Sequence, residues 1–173
     1  MKQILETERL RLRELNQGDT GFIIALLNSP GWLQYIGNRN IKTRDQALTY
    51  LENGPFKSYR ENGFGLNLVE RKSDGAAIGM CGILKREDLQ YPDIGFAFFS
   101  EFQGMGYAFE IARAMLTYAR EELGMKIISA ITIPGNTRSI QLLEKLGLRR
   151  VGTFSFPQNE ETLLLFNDAC HMD

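Results

Sequence analysis

Gln103-Gly104-Met105-Gly106-Tyr107-Ala108 lies where an extended run of the chain ends and a helical one begins, and the rest of the chain is read outward from it. Upstream, Ile94 to Phe99 reads as a strand. Downstream, Ala108, Ala112, Met115, Leu116, Ala119 and Leu123 recur near helical spacing, so Gly106 to Leu123 reads as a helix with Gly124 just beyond its end. Small residues at alternate positions let the backbone approach a ligand closely. Free N–H groups and the dipole at a helix start favour an anion there, and a pyrophosphate fits. The same glycines also suit a plain tight turn from strand to helix, because short glycine motifs recur by chance.

Two other phosphate loops can be tested on these residues. A Walker loop needs GxxxxGK followed by Ser or Thr, and no lysine stands where it would be required. A dinucleotide fingerprint needs Gly or Ala at its third glycine position, which is Phe109 counted from Gly104 and Gly106.

Working outward, Arg9 to Arg13 alternates polar and apolar residues as a half-buried strand does. Asp19 is placed to cap a helix carrying Phe22, Ile23, Leu26 and Leu27, which Pro30-Gly31 breaks. Thr43 or Asp45 starts another through Ala47, Leu48 and Leu51, and the stretch between, with Trp32 and Tyr35, reads as loop or distorted helix. From Gly63, alternation at Phe64, Leu66 and Leu68, a Ser73-Asp74-Gly75 turn and an apolar run from Ala77 to Leu84 make a hairpin. Lys126 to Ile133 reads as a strand, Thr137 to Leu146 as a helix closed by Gly147, and Val151 to Phe156 and Thr162 to Phe166 as two final strands. That order is not the strict alternation of a doubly wound fold. It predicts an α+β domain, a mixed sheet covered by helices, with no repeat or linker to divide residues 1–173.

Composition narrows the chemistry. The 173 residues suit a single domain, and 43% hydrophobic with 24% charged residues is ordinary for a globular protein. A net charge of -1 provides no field to recruit nucleic acid or an anionic membrane, and neither is expected as a partner. The first residues are interrupted by charge every two or three positions, which predicts no signal or membrane-spanning segment and a cytoplasmic location. Cys81 and Cys170 form no CxxC pair, and His171 is the single histidine, so a zinc site, a disulfide framework and a His-based triad are all hard to build. No metal is expected.

Gln103-x-x-Gly106-x-Ala108 resembles the Q/R-x-x-G-x-G/A signature of the GNAT acetyltransferases, whose loop and helix start bind the coenzyme A pyrophosphate by backbone amides. Thr7-Glu8-Arg9-Leu10-Arg11-Leu12-Arg13 is similar to the TERLxLR opening of the Rim-type branch, the ribosomal-protein N-terminal acetyltransferases and their relatives. Gly104-Met105-Gly106-Tyr107-Ala108 with Glu110 and Ala112 is similar to that branch's GxGYAxEA. Asn136-x-x-Ser139 with Leu143-Glu144-Lys145-Leu146-Gly147-Leu148 is similar to its NxxSxxxxEKLGF. The resemblance runs from Thr7 to Phe166.

The resemblance implies a mostly antiparallel, twisted sheet flanked by helices, in which two adjacent parallel strands splay apart to form the acetyl-CoA cleft. Here those are the strands around Ile94 to Phe99 and Lys126 to Ile133. It implies that Gln103, Gly104, Met105, Gly106, Tyr107 and Ala108 hold the pyrophosphate. Backbone groups near Phe98 and Phe99 would pair with the pantetheine amides, and Asn136 and Ser139 would contact the pantetheine arm and sulfur.

Direct attack by an amine needs a proton acceptor and a donor to the departing thiolate. Asp93 is the first base candidate, against the plainer reading of a strand-capping Asp after Tyr91-Pro92; Glu101 is a weaker one. Many GNAT enzymes place a tyrosine acid where this chain has Leu143. Ser139, one turn earlier, is the acid candidate, against a first-turn serine that satisfies the backbone.

The expected function is therefore acetyl transfer to an amine, with acetyl-CoA as co-substrate and a protein or peptide N-terminal amine favoured over a small molecule. The alternative is a catalytically degenerate acyl-CoA-binding sensor or scaffold. Monomer and homodimer both remain open.

Overall fold

The computed structural model describes residues 2–169, so Cys170 and His171 lie outside the described residues. Eight strands form one sheet in the order β1-β2-β3-β4-β5-β6-β8-β7. They are β1 (Gln3–Glu6), β2 (Leu10–Glu14), β3 (Leu66–Arg71), β4 (Ala77–Leu84), β5 (Asp93–Phe98), β6 (Ser129–Thr132), β7 (Arg149–Phe154) and β8 (Leu163–Asn167). Helices α1 (Thr20–Leu27), α2 (Pro30–Tyr35), α3 (Arg44–Leu51) and α4 (Lys57–Asn62) precede β3. Helix α5 (Tyr107–Glu121) joins β5 to β6, and α6 (Thr137–Lys145) joins β6 to β7. The fold is the expected mixed α/β domain.

Several boundaries differ from the sequence pattern, each for a local reason. Strand β1 was not expected, since its only apolar residues are Ile4 and Leu5; it forms as an edge against β2, flanked by the Glu6–Arg11 and Lys2–Glu14 ion pairs. Pro30 does not end a helix but opens α2, where its missing N–H has no partner to lose. Thr43 caps α3 through a capping box with Gln46, and the helix runs on through a π turn containing Pro55 (Glu52–Phe56) into α4. Asp19 does not cap α1: its carboxylate faces Arg13, at 2.9 Å, and the Asn16 N–H. The strand expected over Lys126 to Ile133 is ladder-paired only from Ser129 to Thr132. Before it, Ile128 N donates 2.7 Å to the side chain of buried Asp168 rather than to a neighbouring strand.

Each face of the sheet carries its own core. Helix α5 buries Ile111, Ala112, Met115, Leu116 and Ala119 against Val69, Cys81, Ile83, Ile94, Ala130 and Phe166. On the opposite face α1 to α3 bury Ile23, Leu26, Leu27, Trp32, Ala47 and Leu51 against Leu68 and Met80. Burying each such aliphatic side chain contributes about 1.5–3 kcal/mol.

All neighbouring strands run antiparallel except β5 and β6. That parallel pair has one registered position, Asp93↔Ser129, supported by Ser129 N donating to Pro92 O at 2.8 Å. Beyond it each strand stays with its outer neighbour: β5 pairs with β4 up to Phe98↔Gly79, and β6 with β8 up to Thr132↔Leu164. The sheet is joined at one end of this pair and parted at the other.

Close approach inside the sheet depends on glycine at β4. A methyl group on Gly82 would lie 2.0 Å from the Gly65 carbonyl oxygen, whereas one on Gly95 would meet the tip of Leu84 at 2.8 Å. Gly82→Ala is therefore expected to lose about 1–3 kcal/mol in a denaturant titration, because backbone must move. Gly95→Ala should lose clearly less, since a leucine methyl can rotate away; equal losses would show that the Gly65 contact relaxes freely.

Candidate active site

At the parted end, the chain leaves β5 through a short 3-10 turn (Ser100–Phe102) and enters α5 by Gln103 to Gly106. Gly104 and Gly106 sit at φ of +78° and +81°, left-handed conformations that glycine adopts without a Cβ clash. These kinks turn the backbone outward. The N–H groups of Gly104, Met105 and Gly106 have no hydrogen-bond partner among the described residues, and those of Tyr107 and Ala108 fall in the first helical turn, where none is available within the helix. Of the six expected residues, Gly104, Met105 and Gly106 thus present exposed donors, followed by the first-turn N–H groups of buried Tyr107 and half-buried Ala108, at the positive end of a 15-residue helix.

The loop is tied down from a distant part of the chain. Arg9 Nε donates to Glu110 Oε1 at 2.8 Å, Arg9 Nη1 to the Met105 carbonyl at 2.9 Å, and the guanidinium lies 4.4 Å from the centre of the Tyr107 ring. Thr7 Oγ1 and the Arg9 N–H both donate to Glu110 Oε2, at 2.6 and 3.1 Å. Burial pushes the Glu110 carboxyl up, but these bonds from Thr7 and Arg9 outweigh it and hold the group below the usual range. No periodicity marks Thr7 or Arg9 as part of the site. Their partner lies about a hundred residues away, and only the family resemblance singled out the motif that carries them.

Across the parted strands, the ladder alternation decides which backbone groups face the gap. Phe99 N donates to Ile78 O at 3.1 Å, so Phe99 turns its backbone toward β4. Phe96 and Phe98, of opposite parity, turn theirs toward β6. The Phe98 carbonyl accepts from Gln103 Nε2 at 3.3 Å, and Gln103 Oε1 accepts in turn from Arg138 Nη1 on the first turn of α6. Asn136 caps α6, its Oδ1 accepting from Ser139 N at 3.3 Å. The half-buried Ser139 places its hydroxyl without a hydrogen-bond partner among the described residues, so the backbone-satisfying role does not occupy it. Leu143 is buried in the core and has no proton to give, so the acid role many GNAT enzymes give to this position is absent from it.

Asp93 lies at the joined end, 1% exposed, with Oδ1 accepting from Arg86 Nε at 3.0 Å. Burial pushes its carboxyl above the usual carboxylate range, and Arg86 pulls the other way. Alternation along β5 puts Asp93, Gly95, Ala97 and Phe99 on the face covered by α1 to α3. That face carries an open cavity of about 1040 Å³ bordered by Asp45, Tyr50, Lys57, Leu66, Leu84 and Lys85. Arg86 also stacks 5.5 Å from the ring of Phe156, in the segment joining β7 to β8. Asp93 and the loop of unpaired amides are therefore at opposite ends of β5, and Glu101 is exposed in the loop between β5 and α5.

Cys81 is fully buried, and burial pushes its thiol up to about 12, far from the thiolate a nucleophile needs. Among the described residues no group of three His, Cys, Asp or Glu side chains could hold a metal ion, and no helix is long and apolar enough to cross a membrane.

A sheet parted between two parallel strands, with a row of unpaired amides at the mouth of the gap, is a frame for a long thin ligand with an anionic head. Residues 9–149 match the model of the acetyltransferase (GNAT) domain, and the chain belongs to that family. It is 33% identical over 152 residues to YkkB, an uncharacterized protein of Bacillus subtilis strain 168, covering 85% of this chain and 86% of that one. The fold is similar to a structure described as a GnaT-family acetyltransferase from Bordetella pertussis, with a TM-score of 0.81, 24% identity, and 96% and 99% of the two chains covered. It is also similar to RimL, a ribosomal L7/L12 alpha-N-protein acetyltransferase solved with coenzyme A, with a TM-score of 0.81 and 13% identity over 97% and 99% of the two chains. The family's fold uses acetyl-CoA, and the exposed amide row suits its diphosphate.

Gly106→Val tests the loop. At a left-handed φ a residue with a Cβ costs roughly 1–2 kcal/mol, so the midpoint of thermal unfolding should fall modestly. A larger change is expected in acetyl-CoA affinity, more than about tenfold weaker by calorimetry, since the row of donors is redirected. Unaltered affinity in the folded variant would refute the loop's role.

Proposed function

We propose that this protein is an N-acetyltransferase that holds acetyl-CoA in the gap between β5 and β6 and passes its acetyl group to an amine entering from the α1 to α3 face. The observation that carries this reading is the conjunction of the unpaired amides of Gly104 to Gly106 with a gap open at the same end of β5. Bound there, acetyl-CoA supplies an activated acyl group as a thioester. Phe98 and Phe96 offer it the backbone groups of a strand edge with no ladder partner, the Phe98 carbonyl being held meanwhile by Gln103, and a donor there polarises the thioester carbonyl.

The amine side is served by the cavity on the other face. Leu66 and Leu84 border it and also stand against Gly95 in the middle of β5, where the Leu84 side chain fills the space a Cβ would take, so the cavity reaches the strand that edges the gap. In the overall exchange the neutral amine nitrogen forms the new bond to carbon, the carbon–sulfur bond breaks, and the proton lost by the nitrogen, cationic in the tetrahedral adduct, balances the one gained by the departing thiolate, leaving an amide and a free thiol. Asp93 is the proton acceptor, by way of water because it is buried, and Arg86 holds its orientation. Ser139, whose hydroxyl is uncommitted, is the donor to sulfur.

The acceptor we favour is a protein or peptide N-terminal amine. The cavity is wide, and its border mixes cationic Arg39, Lys57 and Lys85 with anionic Asp45, Glu61 and Glu87 rather than presenting the acidic excess suited to a polyamine. The RimL likeness is compatible with that choice. No observation favours the inactive scaffold alternative.

Free thiol measured while acetyl-CoA meets peptides with N-terminal Ala or Ser, amino acids and polyamines decides between acceptors. Thiol release with peptides and an acetylated α-amine by mass spectrometry is the expected result; silence with every amine would sink the enzymatic reading.

Proton handling is checked by two variants. Ser139→Ala should lower kcat by tenfold or more while leaving acetyl-CoA affinity nearly intact, the ~10²–10⁴-fold range of general acid–base catalysis setting the upper scale. Asp93→Asn should lower kcat/KM most near neutral pH and recover partly as rising pH supplies free amine. Full turnover of both across pH would leave proton transfer to bulk water.

A further inference from the structure

Gln103 and Arg138 form a bridge across the open mouth of the gap. The bridge begins at the Phe98 carbonyl on β5, passes through the two ends of the Gln103 amide, and finishes at the Arg138 guanidinium on α6. It therefore spans the two sides that the parted strands separate, over the path that a pantetheine arm must take between Phe98 and Ser139. The Phe98 carbonyl is one of the few acceptors on that strand edge, and here a side-chain amide occupies it.

The two arginines nearest the loop differ in their charge balance. Arg9 is neutralised by Glu110 and serves the loop's own backbone. Arg138 is exposed and has no carboxylate within salt-bridge distance among the described residues; its recorded partner is the neutral oxygen of Gln103. Gln103 directly precedes the unpaired amides of Gly104 to Gly106. A guanidinium held within hydrogen-bond reach of that loop, and not yet paired with an anion, is arranged to receive one.

We propose that Arg138 is a ligand of the donor's diphosphate, parked on Gln103 until acyl-CoA enters. When the arm enters, a pantetheine amide replaces Gln103 on the Phe98 carbonyl. The bridge then opens, and Arg138 turns from the neutral amide to the phosphate oxygens beside the loop. The cation supplements the amide row from the opposite side of the gap, so phosphate binding also draws α6, with Ser139, onto the donor. This rests on the acetyl-CoA reading above.

The test compares three ligands on folded wild-type and Arg138→Ala protein: acetyl-CoA, its 3′-dephospho form, and acetylpantetheine, which has no phosphate. Calorimetry serves the first two and ligand-observed NMR the third. Because a hydrogen bond to a charged group that remains partly solvated is lost, Arg138→Ala should weaken both CoA forms by about tenfold. It should leave acetylpantetheine binding unchanged. Arg138→Lys should restore part of the affinity for the CoA forms, as a point charge in place of a fork. A loss confined to acetyl-CoA and absent for the dephospho form would move the contact to the 3′-phosphate and overturn the proposal. An equal loss for acetylpantetheine would reduce Arg138 to a structural support of α6. Wild-type protein that binds none of the three would overturn the donor reading together with this one, whereas normal wild-type binding with an unaffected Arg138→Ala variant overturns this proposal alone.

Discussion

Everything in this protein that bears on chemistry depends on β5 and β6 being joined at one position and parted beyond it. A parallel pair has no hairpin to hold it in register, so its persistence rests on what lies outside the two strands. At the joined end the Asp93↔Ser129 position is reinforced on the β6 side by buried Asp168, which accepts from Ile128 N and pairs with Arg120 of α5. At the parted end each strand is satisfied by its outer neighbour, β4 or β8, and the inner edges of both are left with unpaired backbone groups. Unpaired edge groups ordinarily invite another strand; here they face a gap that a narrow ligand can fill in a strand's place.

Helix α5 makes that arrangement stable. Its Ile111, Met115 and Ala119 share one core with Ile94 of β5 on one side of the gap and Ala130 and Phe166 of β6 and β8 on the other, so the two halves are joined by packing although they share few hydrogen bonds. The same helix begins at the mouth of the gap, which puts its positive end and its orphan donors where the strand edge is exposed. One element thus both packs the core and presents unpaired donors at the gap. The clamp from Thr7 and Arg9 to Glu110 and the Met105 carbonyl fixes the angle at which the loop enters it. Charge-assisted bonds of that kind are individually modest at a half-exposed site. Their joint geometry, with two residues of one edge gripping one carboxylate and one carbonyl, restrains a loop that contains two left-handed glycines and has little rigidity of its own.

The two ends of β5 have opposite electrostatic characters. The loop end is exposed and presents N–H donors. The other end buries a carboxylate against Arg86, beneath a cavity of mixed charge. The two environments are thereby separated along one strand, one exposed and rich in donors, the other buried and of mixed charge.

The sequence by itself determined the class of fold, the loop and the long helix, because these follow from local rules. Helical spacing from Ala108 to Leu123, glycine at positions of left-handed φ, and the hairpin around Asp74 and Gly75 need no distant partner to be legible. With a single histidine, it also made a His-based triad hard to build. Boundaries that depend on neighbours were not legible: β1 exists because β2 offers an edge, and β6 is short because Asp168 takes the place of a ladder partner at Ile128. Only tertiary structure could decide the parity that turns Phe98 rather than Phe99 into the gap, the burial of Asp93 beside Arg86, and the meeting of Arg9 with Glu110 and of Arg138 with Gln103. Arg9 and Glu110, and Gln103 and Arg138, are tens of residues or more apart, and even for the nearer pair Arg86 and Asp93 the energy depends on distance, desolvation and orientation in space, none of which is encoded in the spacing of residues along the chain.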